Sequence, residues 1–164
     1  MITFEYLNKK SFIDTSKTIF DILADNMSVI APTGNSKAED YSLWFNAVSL
    51  GLEHPARQIV LIKNENEIIG FFQYYTTADT FMMEEIQIKP KYQGRGVFRA
   101  LYGFLIPEIK NSLKFVEAYA NIKNTKSIAI LQRLGLSNIG LNRNGSSYHF
   151  KGEFSSLVKW YQSK

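Results

Sequence analysis

A chain of 164 residues, 45% hydrophobic and 21% charged, has the size and composition of one globular domain with a single core, residues 1–164. It holds no cysteine, which excludes disulfides, a thiol nucleophile and thiolate metal sites, and its two histidines, His54 and His149, match no ligand spacing, so no metal site is expected. A net charge of +4 without a dense Lys/Arg run argues against a nucleic-acid partner. No apolar run is long enough to span a bilayer and residues 1–10 lack the apolar stretch of a signal peptide, so a cytoplasmic protein with no membrane partner is the default expectation.

In chain order, residues 2–7 alternate and are rich in β-formers, which predicts a first strand. Asp14 or Ser16 caps the helix expected next, with Ile19, Phe20, Ile22, Leu23 and Met27 at helical spacing. A breaker cluster at 31–35 follows, then Ser36 and Glu39 with capping-box spacing for a second helix over 37–52. Its aromatic and aliphatic residues, Tyr41, Leu43, Trp44, Phe45, Val48 and Leu52, predict a strongly amphipathic helix. Strands are expected at 58–63 and 68–75, joined by a polar turn as a hairpin, and a third at 81–88. A helix over 97–106 ends or kinks at Pro107. The strand at 114–120 follows a helical crossover, so parallel pairing with strand 81–88 is favoured. A capped helix from Asn124 to Leu134 stops at Gly135, two strands flank a turn at 142–145, and the tail over 154–161 forms a short helix.

The chain is organised around residues 82–105, a strand, a proline, a turn holding Gly94 and Gly96, and an amphipathic helix. Unpaired N–H groups at a helix start, together with the helix dipole, favour an anion. The two glycines keep side chains out of its way, and Arg95 and Arg99 add positive charge, so a phosphate-bearing ligand is expected at the turn 93–98. The spacing is not a dinucleotide fingerprint, because Arg99 stands where a third glycine is needed, and the Gly-Lys-Ser/Thr of a P-loop is absent.

Ile88-Lys89-Pro90 followed by Gln93-Gly94-Arg95-Gly96-Val97-Phe98 resembles motif A of the GNAT superfamily of N-acyltransferases, in which an apolar-x-Pro step leads to Gln/Arg-x-x-Gly-x-Gly/Ala. Gln93 and Gly96 match; Phe98 replaces the usual small residue. Asn124, Ser127, Gly135 and Leu136 resemble a second family pattern, in which Leu131 replaces a tyrosine. The resemblance covers the second half of the chain residue by residue and the first half by element order. It implies an α/β fold of the α+β type, with a mixed, mostly antiparallel sheet of about seven strands flanked by about four helices. The implied order is β-α-α-β-β-β-α-β-α-β-β.

What the resemblance implies chemically is transfer of an acetyl group from acetyl-CoA, as co-substrate, to a primary amine of a small molecule. The transfer is direct, within a ternary complex. The backbone of Ile86, Gln87 and Ile88 meets the pantetheine arm, with an oxyanion donor near Ile86. The amides of Gln93, Gly94, Arg95, Gly96, Val97 and Phe98 hold the pyrophosphate, Arg99 adds positive charge beside it, and Asn124 contacts the pantetheine or phosphate region or simply caps its helix. Family members dimerise through their last strands, which marks 136–150 as the face for a homodimer.

A base must take a proton from the ammonium before the amine can attack. Glu84 shares a strand face with Met82, Ile86 and Ile88, and a carboxylate on an apolar face titrates higher than usual, which suits a base. Glu85, on the polar face with Gln87, is the second candidate, because a bulge would exchange the faces, and a proton shuttled by water with neither carboxylate as base stays open. Leucine at 131 has no proton to give the leaving thiolate; Tyr102, Tyr119 and Tyr148 are open as substitutes. The same leucine leaves open a module of this fold that binds acyl-CoA as a sensor without turnover.

Overall fold

The computed structural model describes residues 1–109 and 112–163; Lys110 and Asn111, in the expected link after the third helix, lie outside the described residues. The elements are β1 (Ile2–Tyr6), α1 (Lys9–Met27), α2 (Lys37–Gly51), β2 (Arg57–Asn64), β3 (Glu67–Thr76), β4 (Thr80–Ile88), a single turn of tighter helix (Pro90–Tyr92), α3 (Val97–Ile109), β5 (Phe115–Asn121), α4 (Thr125–Arg133), β6 (Ser137–Leu141), β7 (Ser147–Glu153) and α5 (Phe154–Gln162). The strands form one mixed seven-stranded sheet in the order β1-β2-β3-β4-β5-β7-β6. Pairing is antiparallel for β1–β2, β5–β7 and β6–β7 and parallel for β4–β5. The expected element order is the observed one, with the tail helix as a fifth.

Two compact units divide the chain: Met1–Tyr74 with Glu85–Val97, and Tyr75–Glu84 with Phe98–Lys164. In the first, α1 starts earlier than Asp14. Asn8 is its N-cap, and Asn8 and Ser11 satisfy each other's backbone N–H groups at 2.8 and 2.9 Å. Ser36 caps α2 as expected, its hydroxyl accepting from Glu39 N–H at 3.1 Å. Phe12 stacks on Phe45 at 5.6 Å and Phe20 meets Tyr41 edge-on at 5.3 Å, so α1 and α2 are joined through rings. Their apolar side, with Phe12, Ile19 and Val48, closes over Ile59, Leu61 and Phe71 of β2 and β3. The strong amphipathicity expected of α2 is not what forms: only Val48 is buried, while Leu43 and Leu50 are exposed.

In the second unit Phe81, Leu101, Tyr102, Val116, Phe150 and Leu157 are fully buried, and Phe154 meets Phe81 edge-on at 6.2 Å. Helix α3 does not stop at Pro107 but runs to Ile109. Gly135 closes α4 at φ +96°, the left-handed conformation a helix stop requires.

Candidate active site

Strand β4 carries both candidate bases, and its burial differs from strict alternation. Phe81 and Met83 are buried, Met82 is half-buried, Glu84 is exposed, Glu85 and Ile86 are half-buried, and Gln87 and Ile88 are buried. The apolar face expected around Glu84 therefore does not enclose it, because the side that packs is that of Phe81 and Met83. The environment expected to suit Glu84 as a base is absent. Glu85 stands in the more enclosed position and accepts a hydrogen bond at 3.1 Å from Gln87 Nε2. Gln87 Oε1 in turn accepts from Asn26 Nδ2 of α1 at 2.9 Å.

The ladder between β4 and β5 runs from Thr80↔Phe115 to Met83↔Ala118, although each strand continues beyond it. On the other side β4 is held close. A Cβ placed on Gly70 of β3 would stand 2.4 Å from the Gln87 carbonyl oxygen, so glycine there is what lets the two backbones meet.

Strand β4 ends in a clamp. The Ile88 carbonyl accepts from Asn26 Nδ2 at 3.0 Å and from Gln93 Nε2 at 2.9 Å, both of its lone pairs being used. Gln93 N–H donates to the Pro90 carbonyl at 3.2 Å. Gln93, expected at the pyrophosphate, thus ties the turn back to the strand with both its side chain and its backbone. Beyond it Gly94 and Gly96 adopt φ +74° and +79°, and no heavy atom lies within 4 Å of a Cβ built on either. Positive φ demands glycine here, and the open space beside both leaves room for a phosphate. The first N–H groups of α3, which begins at Val97, have no acceptor within the helix. Arg95 is exposed beside them. These residues fit the phosphates of CoA.

Arg99, expected to add charge beside the phosphates, turns its guanidinium elsewhere in the second unit. Arg99 donates from Nη1 to the carbonyls of Trp160, Tyr161 and Ser163 at 3.3, 2.5 and 2.7 Å, and its guanidinium lies 4.6 Å from the Trp160 ring centre. It neutralises the negative end of α5. Phe98 turns its ring edge-on to Tyr102 at 4.9 Å and Trp160 at 6.0 Å. Asn124 caps α4, its Oδ1 accepting from Ser127 N–H at 3.2 Å, the plainer of its two expected roles.

Of the proposed proton donors, Tyr102 is fully buried, its hydroxyl against Met83 Sδ at 2.8 Å, and burial pushes the phenol far above its ordinary range. It is corrected to a core residue. Tyr119 is exposed and stacks on His149 at 4.4 Å, and His149 Nε2 meets Glu117 Oε1 at 2.6 Å. The β5–β7 register, Tyr119↔His149, makes this cluster; residues so far apart in sequence gave no signal for it. Tyr148 is half-buried and edge-on to Phe150. Leu131 is buried.

In the first unit an open cleft of about 510 Å³ is lined by Asp21, Asp25 and Asn26 of α1 and by residues 89–91. The hydrogen bond from Lys37 holds the Asp21 carboxyl below its usual range, against the opposing effect of burial. Among the described residues no helix is long and apolar enough to cross a membrane.

Strand, double-glycine turn and helix start follow one another in an α+β fold. Comparison with known proteins narrows the class: the model of the acetyltransferase (GNAT) family matches residues 17–136, and the chain belongs to that family. Solved structures agree in fold. An acetyltransferase from Streptococcus agalactiae superposes with a TM-score of 0.73 at 12% identity, covering 93% of this chain and 98% of that one. The PaiA N-acetyltransferase from Thermoplasma acidophilum, solved with coenzyme A, gives 0.71 at 14% identity over 94% and 99%. A spermidine N-acetyltransferase from Vibrio cholerae, solved with CoA and spermine, gives 0.63 at 16% identity over 96% and 98%. No curated protein matches the chain in sequence.

Proposed function

We propose that the protein transfers an acetyl group directly from acetyl-CoA to a primary amine of a small molecule in the cytoplasm. One observation carries this reading: in a chain of the GNAT family, β4 runs from the end of its ladder with β5 into a turn whose two glycines have positive φ and open space beside them. The turn's amides and the start of α3 hold the pyrophosphate. The backbone of Ile86, Gln87 and Ile88 lies along the pantetheine, and an N–H near Ile86 polarises the thioester carbonyl. Glu84 or Glu85 takes the ammonium proton. The amine lone pair then forms the C–N bond as the C–S bond breaks, and the thiolate leaves with the amine's second proton.

Calorimetric titration with acetyl-CoA, for wild type and Gly96→Asp, tests the cofactor half. Binding by the wild type alone supports the turn as the pyrophosphate site; no binding by the wild type sinks the reading. Thiol release with an amine panel that includes spermidine tests the transfer half. A second reading, an acyl-CoA sensor without turnover, is favoured by one observation, the buried Leu131 at the tyrosine position. It predicts binding with no thiol release. Gel filtration tests a homodimer through residues 136–150, whose strand β6 is an exposed edge.

A further inference from the structure

The proposed transfer leaves two carboxylates on β4 as candidate bases, and a chain of amides in the first unit separates them. Ile88 carbonyl, a pure acceptor, faces the Asn26 side-chain amide at 3.0 Å. The atom facing it is therefore Nδ2, whichever way the amide is first drawn. The same nitrogen reaches Gln87 at 2.9 Å, so Gln87 presents its oxygen to Asn26. Its Nε2 is then committed to the other side, where Glu85 Oε2 stands at 3.1 Å. Gln87 is buried, which holds this arrangement away from competing water. A backbone carbonyl thus sets the polarity of two amides in series, and the last of them offers an N–H, never a carbonyl, to Glu85. Such a partner favours the ionised carboxylate and fixes its orientation.

We infer that Glu85 is the proton acceptor of the acyl transfer and that Asn26 and Gln87 are positioning residues that hold its carboxylate ionised and aimed. The inference rests on the acyltransferase reading above. Glu84, exposed one residue earlier, lies outside this chain of amides. Among the described residues, the charged groups that line the cleft with Asn26 are Asp25; Asp21, tied to Lys17 and Lys37; Lys89, tied to Glu67; and Lys91. In the step itself the ammonium gives one proton to Glu85. The neutral amine forms the C–N bond as the C–S bond breaks, its second proton ends on the thiolate, and Glu85 returns its proton to solvent.

The test is an isosteric reversal. In Asn26→Asp the side chain only accepts, so Gln87 turns its Nε2 toward position 26 and its oxygen toward Glu85, which then bonds only when protonated. With acetyl-CoA and spermidine, or whichever panel amine the wild type acetylates, the acid limb of the kcat profile is expected to move up by about one pH unit. KM for acetyl-CoA stays within about twofold, and Glu85→Gln loses about a hundredfold or more in kcat. Carbon-13 NMR of the Glu85 carboxyl, which needs no turnover, is expected to show its titration midpoint moving up in Asn26→Asp; Gln87→Met, which keeps the volume, is the second variant should the first fail to fold. Unchanged midpoints in the variant overturn the positioning. An active Glu85→Gln overturns the base assignment while leaving the transferase intact. A wild type that binds no acetyl-CoA, or releases no thiol with any amine, overturns the underlying function and the base assignment with it.

Discussion

Phe98 lies edge-on to Trp160 with ring centres 6.0 Å apart, which explains why a large residue is accommodated at a position where the family has glycine or alanine. Its ring points into the α3–α5 packing of the second unit and leaves its backbone N–H at the helix start. Phe98→Ala is expected to cost about 2 kcal/mol of stability, less than a fully buried phenylalanine because the ring is half-exposed. Acetyl-CoA affinity should stay within about threefold, since the amide remains. Chemical denaturation and calorimetry together check this.

Arg99 separates two roles. Its guanidinium bonds the last carbonyls of α5, so Arg99→Ala should lose about 2 kcal/mol of stability, with a small change in acetyl-CoA affinity. The opposite result, intact stability with collapsed affinity, would assign Arg99 to the phosphates.

Gly70 faces the Gln87 carbonyl oxygen so closely that a Cβ would stand 2.4 Å from it. Gly70→Ala must push β3 from β4 and is expected to cost about 3 kcal/mol, and with it the geometry of Gln87. Gly96→Ala meets no atom within 4 Å and bears only the strain of φ +79°, about 1 kcal/mol. Thermal melts of the two alanine variants should rank them in this order.

Tyr102 makes a prediction about alkali. Burial favours the neutral phenol, so the fold binds that proton more tightly than the unfolded chain does. The stabilisation is complete below the unfolded value of about 10 and is lost as pH rises past it. Tyr102→Phe should cost about 1 kcal/mol near neutrality through the lost contact with Met83. Its Tm should then fall less than the wild type's between roughly pH 9 and 11.

What neighbouring residues decide among themselves is legible along the chain. Ser36 with Glu39, Asn124 with Ser127, and Gly135 mark helix ends because capping is local, and the run from β4 through Gly94 and Gly96 into α3 is legible because strand, turn and helix follow one another directly. Parallel pairing of β4 with β5 followed from the helix between them. Which way each side chain of β4 faces was not legible there, because burial on a strand depends on what packs against each side: Glu84 is exposed, and Glu85 lies under Gln87 and Asn26. The tertiary structure also drew Arg99 to α5, turned Phe98 onto Trp160, and set His149 against Glu117 through the register of β5 and β7. Each of these joins residues far apart along the chain, and no local propensity encodes their meeting; register and packing do.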